Sequence, residues 1–240
     1  MADDALILGH RNSEWTGLGP VLEEDIAFSS MAQDKIGIAN ALYSILHEQL
    51  GEKDPDTIAF TRNEKDFYCA HLVELPIGEY DFSLVRHFLY DHAEFLRFEM
   101  LQTSSYKPLA DLSKKVKGEL KYHILHADTW MKRLGTATEE SKARMQSALN
   151  LAFPLAYSLF EPSENEEQLK AEGIFEGEKA LQEKWLSAIQ NIIAQTELKL
   201  PEVKDITAHY GGRKGYHTEH LQPMLDEMTE VFRLDTEAQW

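Results

Sequence analysis

The stretch from Pro108 to Gly135, PLADLSKKVKGELKYHILHADTWMKRLG, decides the fold. Leu112, Val116, Glu119, His123, Trp130 and Leu134 recur at helical spacing, and Gly135 ends the run. Glu119 and His123 sit one turn apart on this otherwise apolar stripe. A carboxylate and an imidazole facing a core are costly unless they are paired or bind a metal. The stretch therefore predicts a long helix with a polar pair turned inward.

The same period continues outward in both directions, and no long segment alternates with period two. A short N-terminal segment runs to the stop Gly17-Leu-Gly19-Pro20. A first long helix occupies roughly 20–50 and ends at Gly51, with Leu22, Ile26, Ala32, Ile36, Ala39, Tyr43 and Leu46 on one stripe and Asp25 among them. The segment 52–80 carries Pro55, Pro76 and Gly78 and leaves room for one short helix near 63–72. A second long helix covers about 81–103, with Val85, Phe88, Leu89, Phe95 and Phe98 inward. A fourth runs from about 139 to 160 and is kinked or tightened by Pro154. Beyond it, Glu161 to Glu178 reads as a solvated connection or a short exposed helix, followed by a helix over 179–198. A last helix starts between Thr218 and Gln222, because Pro223 is tolerated only near a helix start.

Four long helices with a long link between the first two predict an all-α, ferritin-like four-helix bundle core over about 20–160. Additional C-terminal helices follow over about 165–235, within one domain spanning 1–240. The aromatic residues Phe88, Phe95, Phe98, Trp130, Phe153 and Phe160 fall at helical spacing and read as core.

Composition narrows the function. Twenty-four basic residues against 41 acidic ones give a formal charge of −17, which argues against nucleic acid or an anionic membrane as partner. Small molecules and other proteins remain. No run approaches the roughly 20 apolar residues of a membrane span. The start, Met1-Ala-Asp-Asp-Ala, lacks the basic and apolar pattern of a signal peptide. The lone Cys69 excludes an intramolecular disulfide and suits a reducing cytoplasm, where it reads as a buried structural thiol.

A ferritin-like di-iron centre takes a Glu from each of two helices and a Glu-x-x-His pair from each of the other two. The first long helix offers Asp25, the second Asp91 and Glu94, and the third Glu119 and His123, with His126 one turn later. The helix over 139–160 turns inward only Met145, Leu149, Ala152, Ala156 and Leu159, and offers no ligand. The count falls short, so these positions read as a degenerate site held by mutual pairing, with no metal and no catalytic residue in this chain. An autonomous di-iron oxygenase or oxidase is the rival reading, and it needs ligands on that fourth helix. His217-Thr-Glu-His220 lacks the i, i+4 histidines of a metalloprotease helix and reads as a helix entry. Gly211-Gly-Arg-Lys-Gly215 is short and basic but has no phosphate-loop pattern, and it reads as a turn.

Several stretches together carry a resemblance. They are Glu14-Trp-Thr-Gly17, Asp56-Thr-Ile-Ala-Phe-Thr-Arg62, Glu119 to Gly135, Gly211 to Met228 (GGRKGYHTEHLQPMLDEM) and the closing Gln239-Trp240. In order and over nearly the whole chain, they resemble the C subunits of phenylacetyl-CoA epoxidase. The resemblance implies a non-catalytic, ferritin-like structural subunit of phenylacetate degradation. Its expected partner is the homologous catalytic subunit of the epoxidase, which holds the di-iron centre, and in isolation it is expected to form a homodimer. The resemblance also implies NADPH, flavin and iron–sulfur chemistry in a separate reductase subunit. One departure stands out: Asp91-His-Ala-Glu94 occupies a place where the family leads one to expect Asp-x-x-His. Two further expectations follow. The first two long helices, with Ile38 and Leu42, carry the interface to the catalytic subunit, and Arg213 and Lys214 contact the coenzyme A phosphates or the partner.

Overall fold

A computed structural model of the chain describes residues 1–235; the Gln239-Trp240 ending lies outside the described residues. The described residues contain helices and no strand, which is the expected all-α class. The helices are α1 (Ala2–Ser13), α2 (Leu22–Leu50), α3 (Pro55–Phe60), α4 (His71–Glu74) and α5 (Tyr80–Leu101). They continue with α6 (Lys107–Leu134), α7 (Glu139–Ala156), α8 (Glu166–Ala171), α9 (Glu178–Ile193) and α10 (Leu221–Leu234). The four long elements α2, α5, α6 and α7 are those expected of a ferritin-like bundle, and α9 and α10 are the added C-terminal helices. No helix among the described residues is long and apolar enough to cross a membrane.

Local chemistry explains the boundaries. Gly51 ends α2 in the left-handed conformation that its missing side chain permits. Asp54 caps α3 through the Thr57 N–H, with Pro55 in the first turn. Thr138 and Ser141 close a reciprocal capping box at the start of α7. Pro154 cannot donate a helical hydrogen bond, and α7 tightens into a 3-10 turn over Tyr157–Phe160.

Contacts divide the chain into two compact units, residues 1–76 with the segment from Gly211 onward, and residues 77–210. In the first unit, α1 lies along α2. The two backbones approach so closely at Gly9 that a Cβ there would stand 2.9 Å from Ile36 Cγ1 and 3.3 Å from the Ala32 carbonyl. Ala5, Ile7 and Leu8 of α1 are wholly buried, so the short N-terminal segment is a core helix. The expected short helix near 63–72 is instead α3, a 3-10 turn over Glu64–Asp66 and the single turn α4. The inward face of α2 also differs from expectation. Phe28, Met31, Ala32, Lys35, Ile38, Ala39, Leu42 and Tyr43 are buried, whereas Leu22 and Ile26 are exposed. Apolar residues occur on every side of α2, so their spacing does not set its phase.

In the second unit α5 is central, packed against α6, α7 and α9. It is buried continuously from Phe82 to Glu94, as a helix enclosed on all sides requires. Trp185 of α9 is fully buried among Phe153, Tyr157 and Phe160 and donates its indole N–H to the Leu89 carbonyl at 2.9 Å. Such ring pairs add about 0.5–1.5 kcal/mol each beyond the area they bury. Phe88, Phe98, Phe153 and Phe160 are thus core, as their spacing indicates, whereas Phe95 and Trp130 are only part-buried.

Candidate functional site

Residues four apart share a helix face, so α5 presents His87 and Asp91 together, while α6 presents His123 and His126 within one turn. Asp91 is fully buried. Its carboxylate lies against Nδ1 of His87, and its other oxygen is 3.9 Å from Nδ1 of His123. The His87 ring centre is 6.0 Å from that of His123 and 5.5 Å from that of His126. Burial lowers the His87 pKa to about 4 against the pull of Asp91, so the ring is neutral at pH 7. The outcome is a buried carboxylate, Asp91, set against His87 and His123, with His126 beside the His87 ring. Its neighbour His92 makes a separate contact, Nε2 to Asp128 Oδ1 at 2.8 Å.

Of the positions expected from the sequence, the structure brings Asp91 and His123 together. Glu94 is buried but accepts from the Tyr90 hydroxyl at 3.1 Å. Asp25 is half-buried at the start of α2, in the other unit, and accepts the Gly17 N–H at 2.7 Å. Glu119 corrects the opening expectation, because it is exposed. The buried stripe of α6 is Ser113, Val116, Leu120, His123, Ala127 and Met131, centred roughly 90° from Glu119 on an ideal helix. Either Glu119 or Leu120 could follow Val116 inward, and the apolar side chain takes the place because burying a carboxylate costs far more. The buried residues of α7 are Met145, Ala148, Leu149, Ala152, Phe153 and Ala156, with no donor for a metal. His87 was missed from the sequence, although its i, i+4 relation to Asp91 was a readable signal.

The first unit gathers a second polar cluster around the segment from Gly211 to His220. Arg213 donates to both carboxylate oxygens of Asp4, at 2.9 and 2.7 Å, and to the Tyr68 carbonyl at 2.6 Å. Burial opposes the charge on Asp4, but this guanidinium holds its carboxyl well below the usual range. Asp3 is engaged in the same way by Arg62, at 2.6 and 3.0 Å. Gly212 lies so close to the 69–70 backbone that a Cβ would stand 1.9 Å from the Cys69 carbonyl oxygen. Arg213 is therefore committed inside the chain, which corrects its expected contact with coenzyme A; Lys214 is exposed.

His217 is likewise more than a helix entry. Its Nδ1 is 2.7 Å from Glu74 Oε1, and its Nε2 is 3.0 Å from the Phe67 carbonyl. Glu74 also accepts the Thr218 N–H at 2.7 Å and the Cys69 thiol at 3.5 Å, while Arg11 donates to its backbone carbonyl. Burial works against charge on His217, yet the Glu74 carboxylate raises its pKa above the ordinary value. Burial and Glu74 push the Cys69 thiol far up, so it stays protonated and unreactive. Cys69, Glu74 and His217 are the group among the described residues whose ligand atoms lie within 4.8 Å of one another. Both ring nitrogens of His217 face acceptors, so the imidazolium and the thiol proton already satisfy this cluster. It locks the C-terminal segment onto residues 67–74.

Similarity to known proteins places the chain in a family. The family model described as phenylacetic acid catabolic protein matches residues 1–240, and the chain belongs to that family. It is 35% identical over 240 residues to the C subunit of the 1,2-phenylacetyl-CoA epoxidase of Escherichia coli (strain K12), covering 100% of this chain and 96% of that protein.

Proposed function

We propose that this member of the phenylacetic acid catabolic protein family is the non-catalytic, supporting subunit of a phenylacetyl-CoA epoxidase, docked on the homologous catalytic subunit that holds the di-iron centre. The observation that carries this reading lies in α5, α6 and α7. Glu119 points to solvent, α7 is apolar inside, and the buried carboxylates of α5 are Asp91, set against His87 and His123, and Glu94, which accepts from Tyr90. A di-iron centre needs four carboxylates and two imidazoles converging from four helices, and this arrangement supplies hydrogen-bonded pairs instead. NADPH, flavin and iron–sulfur chemistry then belong to a separate reductase. The one free thiol, Cys69, suits a reducing cytoplasm.

Such a protein contributes rigidity. Iron ligands must be held to within about half an ångström, and a packed neighbouring bundle restrains the helices that carry them. Permanent complexes of this kind rest on large apolar interfaces. The test is to purify the chain alone and with the co-expressed catalytic subunit, then measure iron per chain and NADPH-dependent turnover of phenylacetyl-CoA with the reductase. The complex should turn over, and the isolated chain should be inactive with substoichiometric iron. An isolated chain that binds stoichiometric iron and epoxidises the substrate would overturn the reading.

A further inference from the structure

The outer face of α6 is basic on an otherwise acidic chain. This helix holds seven of the chain's 24 basic residues and three of its 41 acidic ones. Lys107, Lys114 and Lys121 are exposed on its outward side. Between and beside them stand Tyr122, 75% exposed, and Leu125, 64% exposed. Gly118 lies on the same face at mid-helix, and a Cβ built there meets no atom within 4 Å. Glycine is a poor helix residue, and nothing among the described residues calls for a missing side chain at that position. A backbone bare at one point serves a second helix that crosses closely there.

We infer that the outer face of α6 is a docking surface for an acidic helix of the catalytic partner, which crosses at Gly118. This rests on the proposed supporting role and names the surface and the chemistry of its partner. Tyr122 and Leu125 supply the anchors, since a large aromatic ring and a leucine lose the most water when covered. The lysines supply the rim, and they fit an acidic face by charge complementarity. The Lys114–Asp111 contact, at 3.3 Å between two well-exposed side chains, is too weak to hold Lys114 from a partner.

Two variants of the full chain, each co-expressed with the catalytic subunit, test the surface. Gly118→Leu adds bulk where this chain leaves open space, and Lys114→Glu with Lys121→Glu reverses the rim. Both should keep the wild-type helical spectrum, with a melting temperature at least as high for Gly118→Leu. Both should bind the catalytic subunit with at least tenfold lower affinity by calorimetry, and added salt should weaken the wild-type complex. Folded variants that bind as wild type overturn the surface and leave the proposed function standing. Variants that keep the catalytic subunit but lose self-association also overturn it, since the occupant is then a second copy of this chain. Failure of the wild-type chain to bind the catalytic subunit overturns the proposed function, and this inference with it.

Discussion

Arg213 and Lys214 are neighbours with opposite fates. Arg213 closes a bidentate pair on the buried Asp4, 209 positions away, while Lys214 faces solvent. Removing one partner of a buried pair leaves the other charge uncompensated, which costs about 3–5 kcal/mol. Arg213→Ala should therefore lower the urea midpoint by a large part of the chain's stability, which for a domain is typically about 5–15 kcal/mol. Lys214→Ala should change it by no more than about 0.5 kcal/mol. Arg213→Lys should recover only part of the loss, because a lysine keeps the charge but not the two-pronged geometry. Unchanged stability of Arg213→Ala together with a raised KM for phenylacetyl-CoA would restore the phosphate contact. A basic residue in a glycine-rich turn was legible in the sequence, but its partner was not. Nothing local links Asp4 to Arg213, or Glu74 to His217; only the folded chain brings them together. His87 and Asp91 differ, since four residues on one helix announce their pairing in advance.

Element by element, the long helices were legible because 20 to 30 residues average out local noise in the 3.6-residue period, and glycine, proline and capping residues mark their ends. Phase was harder. On α6, Glu119 and Leu120 are both compatible with an inward stripe, and the lower cost of burying leucine settles the choice. On α2 the apolar residues run all round, and the docked face of α1 selects which of them is covered. This choice relocates the expected interface residues. Ile38 and Leu42 are 2% and 8% exposed and belong to the chain's own core, so they are not available to a partner. Ile38→Asp should then destabilise the isolated chain by more than about 4 kcal/mol, as an unpaired buried charge does. Ile26→Asp, at a position 59% exposed, should stay within about 0.5 kcal/mol. Thermal melts of the two isolated variants decide the matter. An undiminished melting temperature for Ile38→Asp would return that residue to the interface. α1 escaped notice because it is short and is followed by Gly17-Leu-Gly19-Pro20, a stop that masks the helix before it.

For the molecule as a whole, the two polar clusters respond to pH in opposite directions. His87, in the second unit, has a folded pKa lowered by burial to about 4 from an unfolded value of 6.5. Between those values the unfolded chain binds the extra proton, so stability present above pH 6.5 is lost as the pH falls toward 4. His217, in the first unit, has a raised folded pKa: burial opposes its charge, but the Glu74 carboxylate prevails. Its contribution is fully present below pH 6.5 and is lost as the pH rises through the elevated folded value. The carboxyls of Asp3 and Asp4, held low by Arg62 and Arg213 against burial, begin to lose their contribution only as the pH falls through the unfolded value of 3.8. At about pH 5 the α5 cluster around His87 should therefore loosen while the Glu74–His217 cluster holds; in the first unit His10 of α1, its pKa lowered by burial, adds an acid-side loss of its own at α1. Hydrogen exchange, corrected for intrinsic rates, reads this directly because it reports opening segment by segment. From about pH 7 to 5, protection should fall in α5 around His87 and Asp91 and persist at residues 67–74 and 211–220. As the pH rises above 6.5 and through the raised folded pKa of His217, those two segments should lose protection while α5 keeps it, and His217→Gln should abolish the alkaline response alone. If both clusters lost protection together in either direction, they would not govern their own segments, and the locking role given to His217 would fail.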